Sequence, residues 1–236
     1  MKNLFKRTFE LKESNCTIVT DKEQAIEAAI ESIKLHRKQL ENYIKTNQKF
    51  LISLKPVKIP ADPLVAKLMA EAAEKADVGP MAAVAGVIAD LAVQNMMAKG
   101  CDVAVVENGG EISAISNEPV DIAIAAGDEP LSRRFGFRLA DFPMGIATSS
   151  GRFSHALSFG NAEAATVFCA EAGLADAAAT AVGNAVKGEN HETAIQDGIK
   201  KAKSIPGVNG VLILYKGFTG TSGRIPQIIK IEPSDT

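Results

Sequence analysis

The chain has 236 residues, with Lys+Arg 26 against Asp+Glu 28, a net charge of -2, 46% hydrophobic and 23% charged residues. These values exclude a disordered or fibrous chain and allow one large domain with a substantial core. A pI near 6.0 offers no global basic field to gather phosphates, so nucleic acid is not an expected partner.

Residues 5 to 19 alternate roughly between apolar and polar, which predicts one or two short strands, and Thr20 before Asp21 and Glu23 marks a helix start. The helix runs to about Asn47, with Ile26, Ile30, Ile33, Leu40 and Ile44 at helical spacing and a Lys- and Arg-rich face turned to solvent. Pro56, Pro60 and Pro63 form the only plausible internal boundary, ahead of a helix over about 63–76. Gly79-Pro80 opens a helix to about Lys99 with Gly100 behind it; CDVAVVEN then reads as a buried strand ending at Asn108-Gly109-Gly110. EISAIS and VDIAIAAG are two more strands, followed by GFRLADFPMGIATSS, EAATVFCA as a strand, and a helix over about 171–187. A helix over about 191–204 and the strands GVLILY and PQIIKI finish the chain. Most of the alanines lie between residues 61 and 185, and such small side chains let helices approach a sheet closely. The order of elements predicts an α+β fold with mixed or antiparallel sheets. It is expected as a single domain over 1–236, with N-terminal strands and the long helix in 1–60 and an Ala-rich core in 61–236.

The opening MKNLFKRTFELKES lacks the apolar run of a signal peptide. Asp90, Glu171 and Asp176 interrupt the apolar stretches, which are therefore read as buried elements and not membrane spans. Cys16, Cys101 and Cys169 are far apart, without the spacing of a zinc or dithiol site, and are expected as buried thiols in a reducing cytoplasm.

Asp176 and Thr180 stand four apart on a helix, so both oxygens project from one face and suit a hard cation; two ligands alone make no metal site, and an Asp near the helix dipole with a Thr bonded back to its helix is the simpler reading of the pair by itself. Asn108-Gly109-Gly110-Glu111 allows close ligand approach or a simple hairpin turn. Asp90, in an apolar helix, needs a partner if buried and none if it faces solvent. GIATSSGRFSH gathers Thr148, Ser149, Ser150, Gly151, Arg152, Ser154 and His155, a set able to hold a phosphate or to form a structural loop, with Arg133, Arg134 and Arg138 near in sequence. No G-x-S-x-G elbow is present, so a serine hydrolase is not indicated.

Taken together, these places resemble the ApbE family of flavin transferases, which use Mg2+ and FAD to attach FMN to a protein threonine. The order matches over about residues 79–187: a helix with Gly86-x-x-x-Asp90, then Asn108-Gly109-Gly110-Glu111-Ile112, then Gly145-Ile146-Ala147-Thr148-Ser149, then Leu174-Ala175-Asp176-x-x-x-Thr180. The run from Ser154 to Asn184 looks closer still to a cytoplasmic ApbE-like branch of microbial proteins. The resemblance implies Asp176 and Thr180 as Mg2+ ligands. It also implies Gly86, Asp90, Asn108, Gly109, Gly110, Glu111, Thr148, Ser149, Ser150 and His155 around FAD, FMN or a related phosphate ligand. Four features depart from the family pattern: Ala85 and Val87 stand where typical transferases carry a Lys and an aromatic, Glu111 replaces an Asp, and SFGNAEAATV replaces an Asp-Pro-Arg-Thr-Gly segment. A Mg-dependent transferase, a non-catalytic ligand-binding or assembly protein on the same fold, and a cysteine-based role in sulfur metabolism are the three functions carried forward. The expected partner is a small nucleotide or phosphate ligand, without nucleic acid or membrane, and a homo-oligomer is left open.

Overall fold

A computed structural model describes residues 4–123, 135–150 and 162–230. Strands β1 (Phe5–Leu11) and β2 (Ser14–Thr20) form a hairpin turned by Lys12 at φ 53°, with Cys16 and Ile18 of β2 facing inward. Helix α1 (Glu23–Thr46) follows with Ala25, Ile26, Ala29, Ile30, Ile33 and Leu40 buried, the stripe that its helical spacing anticipates. Its start differs from the sequence reading. Lys22 is the boundary residue and no side chain caps the helix. The Thr20 hydroxyl accepts the Lys22 N–H at 3.2 Å, and the Asp21 carboxylate accepts the N–H groups of Asp102 and Val103 at 2.9 and 3.0 Å. The acid expected at the helix start therefore ties the chain to the next strand of the sheet.

After the short α2 (Gln48–Ile52), helix α3 (Leu64–Ala76) begins directly behind Pro63. Pro80–Ala83 forms a single 3-10 turn that leads into α4 (Val84–Met97). The remaining elements are β3 (Val103–Asn108), β4 (Glu111–Ser116), β5 (Val120–Ala123), β6 (Phe135–Leu139), β7 (Met144–Ser149), β8 (Ala164–Cys169), α5 (Ala172–Ala185), α6 (His191–Ser204), β9 (Val208–Tyr215), β10 (Phe218–Gly223) and β11 (Gln227–Lys230). An eight-stranded sheet runs in the order β1-β2-β3-β4-β7-β8-β9-β10, a three-stranded sheet in the order β11-β6-β5, and every pairing among the described residues is antiparallel. The fold is α+β.

Alternation along each strand divides the large sheet between two cores. Ala104, Val106, Ala147, Ala165, Val167 and Cys169 face a helical layer that contains Ile33 of α1, Met69 of α3, Val87 and Ile88 of α4 and Leu174 of α5. Val103, Val105, Ile112, Ala114, Ile146 and Phe168 face the small sheet, where Phe137 meets Phe168 edge to face at 5.0 Å between ring centres. The segment Pro80–Met97 is long and apolar enough by composition to cross a bilayer. Here α4 is instead a central core helix, with Val87, Ile88, Leu91, Ala92, Val93 and Met96 buried.

Candidate functional site

One end of the helix-facing side of the large sheet collects most of the expected residues. The two-residue turn between β3 and β4 places Gly109 and Gly110 at φ 69° and 111°, backbone that β-carbon-bearing residues adopt only with strain, and pairs Asn108 with Glu111. The turn is thus the hairpin that one reading expected, and it stands beside the N-terminus of α4. The Asn108 amide donates to Ala85 O at 3.0 Å while its Oδ1 accepts the Cys16 thiol at 3.3 Å, so both ends of this side chain serve the fold. Gly109 N–H donates to Asn15 O at 2.9 Å, which fixes the turn to β2.

Asp176 and Thr180 lie on α5, and Asp176 reaches across to α4. Its Oδ2 accepts the Gly86 N–H at 3.1 Å, and the Ala85 amide also bonds to it. Asp90 makes the converse connection. Its Oδ1 accepts the Ala172 N–H at 3.0 Å and the Ser113 hydroxyl at 2.7 Å, and its Oδ2 accepts the Gly173 N–H at 2.8 Å. Each helix therefore carries the carboxylate that satisfies the leading amides of the other. Of its two alternatives from the sequence Asp90 takes the partnered one, while Asp176 serves the dipole of α4, not that of its own helix.

Burial dominates the electrostatics of this cluster. It pushes the Asp176 carboxyl up to about 7, opposed by the amides of Gly86 and Ala85 and reinforced by the charge of Asp90. Glu111 rises well above the ordinary carboxylate range through burial and then through the charges of Asp176 and Glu107. Asp90 is raised by burial, against the hydrogen bonds from Gly173, Ser113 and Ala172. Among the described residues, no Lys or Arg forms an ion pair with Glu111 or Asp176. Two neighbouring carboxylates raised by burial, Glu111 further by the charge of Asp176 and Asp176 by that of Asp90, without a paired side-chain cation, are a donor set that fits a hard divalent ion. No three His, Cys, Asp or Glu side chains among the described residues are grouped to hold a metal by themselves. A Mg2+ there would complete its shell with hydroxyl, backbone, water or ligand oxygens, as Mg2+ commonly does.

The GIATSS strand divides by parity. Ser149 faces the helices, its Oγ 3.2 Å from where a β-carbon on Gly183 of α5 would lie. Thr148 points to the other side of the sheet, where its hydroxyl meets that of Thr166 at 2.9 Å. Thr148 is thus separated from Glu111, Ser149 and Asp176. Ser150 ends the described segment, and His155, with Gly151, Arg152 and Ser154, lies outside the described residues, as do Arg133 and Arg134. Arg138 is paired with Asp121 at 2.8 and 2.7 Å on the small sheet, and no anion is needed to explain it. Val87 is buried between α4 and α5: a β-carbon on Gly173 would meet its Cγ2 at 2.4 Å. All three thiols are buried; burial raises Cys16 to about 11 and Cys169 to about 12, which removes thiolate character near neutrality. Ser113 was not singled out from the sequence, although its place two residues after Glu111 on the same strand face was a usable signal. A cleft of about 320 Å3 lined by Leu68, Lys75, Val87, Asp90, Gln94 and Glu171, among others, borders Asp90 but none of Gly86, Asn108, Gly110, Glu111, Asp176 or Thr180.

A family profile described as AbpE bacteria matches residues 2–204. The chain belongs to this family. A UPF0280 protein of Methanococcus maripaludis strain C5 is 39% identical over 98% of this chain and 95% of its own length. A second, from Methanocaldococcus jannaschii, is 38% identical over 97% and 94%. Among solved structures, the apo flavinyl transferase ApbE of Pseudomonas stutzeri superposes with a TM-score of 0.61 at 16% identity, covering 94% of each chain. The ApbE protein of Thermotoga maritima gives 0.54 at 13% identity, covering 98% of this chain and 97% of that one. The ApbE-like fold expected from the motifs is the fold of this chain.

Proposed function

We propose that this ApbE-like protein binds a flavin nucleotide or a related phosphate-bearing ligand together with Mg2+, and transfers FMN from FAD to a protein hydroxyl. The observation that carries the proposal is the meeting of the Gly86 amide, the Asn108-Gly109-Gly110-Glu111 turn and Asp176 at one end of the sheet. Asp176 and Thr180 would hold the metal, with Glu111 beside them, and a bound Mg2+ would neutralise charge on a diphosphate during transfer. The chain's own groups supply the rest. The glycine turn lets a ligand approach the backbone closely, and Ser149 offers a hydroxyl on the same face. Solved relatives named as flavin transferases share the fold at low identity, which favours a nucleotide ligand without fixing the reaction.

Binding without transfer is the second reading, and Val87 favours it. Where typical transferases carry an aromatic, this chain buries a valine in an interhelix contact. Quenching of FAD fluorescence with and without Mg2+ tests binding, and release of AMP separates transfer from binding alone. Asp176→Ala should weaken Mg2+-dependent quenching by about tenfold or more. Metal-independent quenching, or none, refutes the cation site.

A further inference from the structure

We propose that Asp90 is a positioning residue for the cation site, holding Asp176 in place beside Glu111 without itself touching the ligand. The inference rests on the reading of Asp176 as a cation donor. The three donors on Asp90, the amides of Ala172 and Gly173 and the hydroxyl of Ser113, occupy both of its carboxylate oxygens. No ligand role is needed to explain it, in contrast to the role its motif implies. Ser113 lies two residues from Glu111 on β4, so the two side chains share a face about 6–7 Å apart along the strand. From Ser113 the path runs through Asp90 to the first turn of α5, and one turn further along α5 stands Asp176. Strand β4 thereby carries one carboxylate of the site directly and fixes the helix that carries the other.

The connection is closed at a second point, because Asp176 grips the leading amide of Gly86 on the helix that bears Asp90. Two glycines let the helices come that close. A β-carbon on Gly86 would lie 2.2 Å from Ala172 O, and one on Gly173 would lie 2.4 Å from Val87 Cγ2. Without Asp90, the first amides of α5 lose their acceptor and the helix loses the restraint that sets its position along β4. Mg2+ tolerates little departure from octahedral geometry, so a shift of several tenths of an ångström in one carboxylate is felt directly in affinity.

The full-length protein is titrated with Mn2+ as the probe, with bound and free ion separated by electron paramagnetic resonance, and thermal unfolding is recorded for every variant. Asp90→Asn keeps the side-chain shape and should weaken Mn2+ binding by about tenfold; Ser113→Ala should produce a smaller loss in the same direction. Val65→Ala, a truncation of a fully buried residue in α3, lowers stability without touching the connection and should leave Mn2+ affinity unchanged. Wild-type affinity in folded Asp90→Asn, or an equal loss in Val65→Ala, overturns the proposal, and if Asp90→Asn does not fold, Ser113→Ala decides on the same terms. Should Asp176→Asn bind Mn2+ as the wild type does, the cation reading itself falls. The positioning role is then judged by unfolding of Asp90→Asn, Asp176→Asn and the double variant: strongly non-additive shifts support it and additive shifts overturn it.

Discussion

Gly86→Ala tests the closeness of α4 and α5 most directly. In an isolated helix the change would stabilise by up to about 1 kcal/mol, because alanine restricts the unfolded backbone more than glycine does. Here the added β-carbon would meet Ala172 O at 2.2 Å, Ala172 C at 2.5 Å and Gly173 N at 2.8 Å. All three are backbone atoms that cannot rotate away, so the helices must separate by about 1 Å to restore van der Waals contact. Overpacking of this kind costs about 1–3 kcal/mol. Separation also stretches the 3.1 Å bond from Gly86 N–H to Asp176, a capping interaction whose loss costs about another 1 kcal/mol. The clash and the lost cap outweigh the propensity gain, leaving a net loss of about 1–3 kcal/mol, or about 2–12 °C in melting temperature for a chain of this size. Thermal unfolding followed by circular dichroism measures it. Gly110→Ala is the control, since nothing lies within 4 Å of its would-be β-carbon and only its φ of 111° opposes the change. A Gly86→Ala protein that melts at or above the wild-type temperature would refute the tight crossing and the reciprocal capping with it.

Val87→Tyr should lower the melting temperature and bring no gain in FAD quenching, since position 87 points into the contact with Gly173; a tighter FAD complex would show that this side chain reaches the ligand. Thr148→Ala should leave ligand binding unchanged while Ser149→Ala weakens it, because the two hydroxyls face opposite sides of the sheet; equal losses in a binding titration would contradict the division. The buried thiols bind their protons more tightly in the folded chain than in the unfolded one. Their contribution to stability is full below about pH 9 and is lost as pH rises through about 11 to 12. Urea midpoints should therefore fall more steeply above pH 9 in the wild type than in a Cys16→Ala, Cys169→Ala variant, and identical slopes would rule the effect out. His36 is buried and its pKa is lowered by burial, so protonating it opposes the fold: stability should decline as pH falls below about 6.5, less so in His36→Gln.

Elements with long regular periodicity were legible in the sequence. Helix α6 spans His191–Ser204, the range expected for it, with Asn190 found as its cap, and the stripe on α1 is the one its isoleucines mark. Strand β10 was not, because FTGTSG offers two glycines and three hydroxyls in place of an apolar alternation; it pairs because β9 presents an open edge beside it. The site was legible as a set of motifs but not as a set of roles. The partner of Asp90 lies 82 residues away at Ala172, and no local pattern announces a carboxylate that caps another helix. The parity of Thr148 and Ser149 could have been read from strand alternation once GIATSS was placed as a strand.

The reciprocal caps also order events during synthesis. Helix α4 leaves the ribosome about 80–90 residues before the amides that Asp90 will hold and the carboxylate that will hold Gly86. At about 5–20 residues per second that interval lasts some 4–18 s. Throughout it, a helix apolar on nearly every side has α1, α3 and the first strands against which to shelter, with a carboxylate in its middle that lacks the α5 amides it will accept from. The nascent chain is most vulnerable to aggregation in this window, and a slower-translated stretch between residues 100 and 170 would lengthen it. Substitutions that weaken the α1–α4 contact, such as Ile33→Ala, should accordingly depress the yield of folded protein in the cell by more than their effect on the stability of the finished molecule.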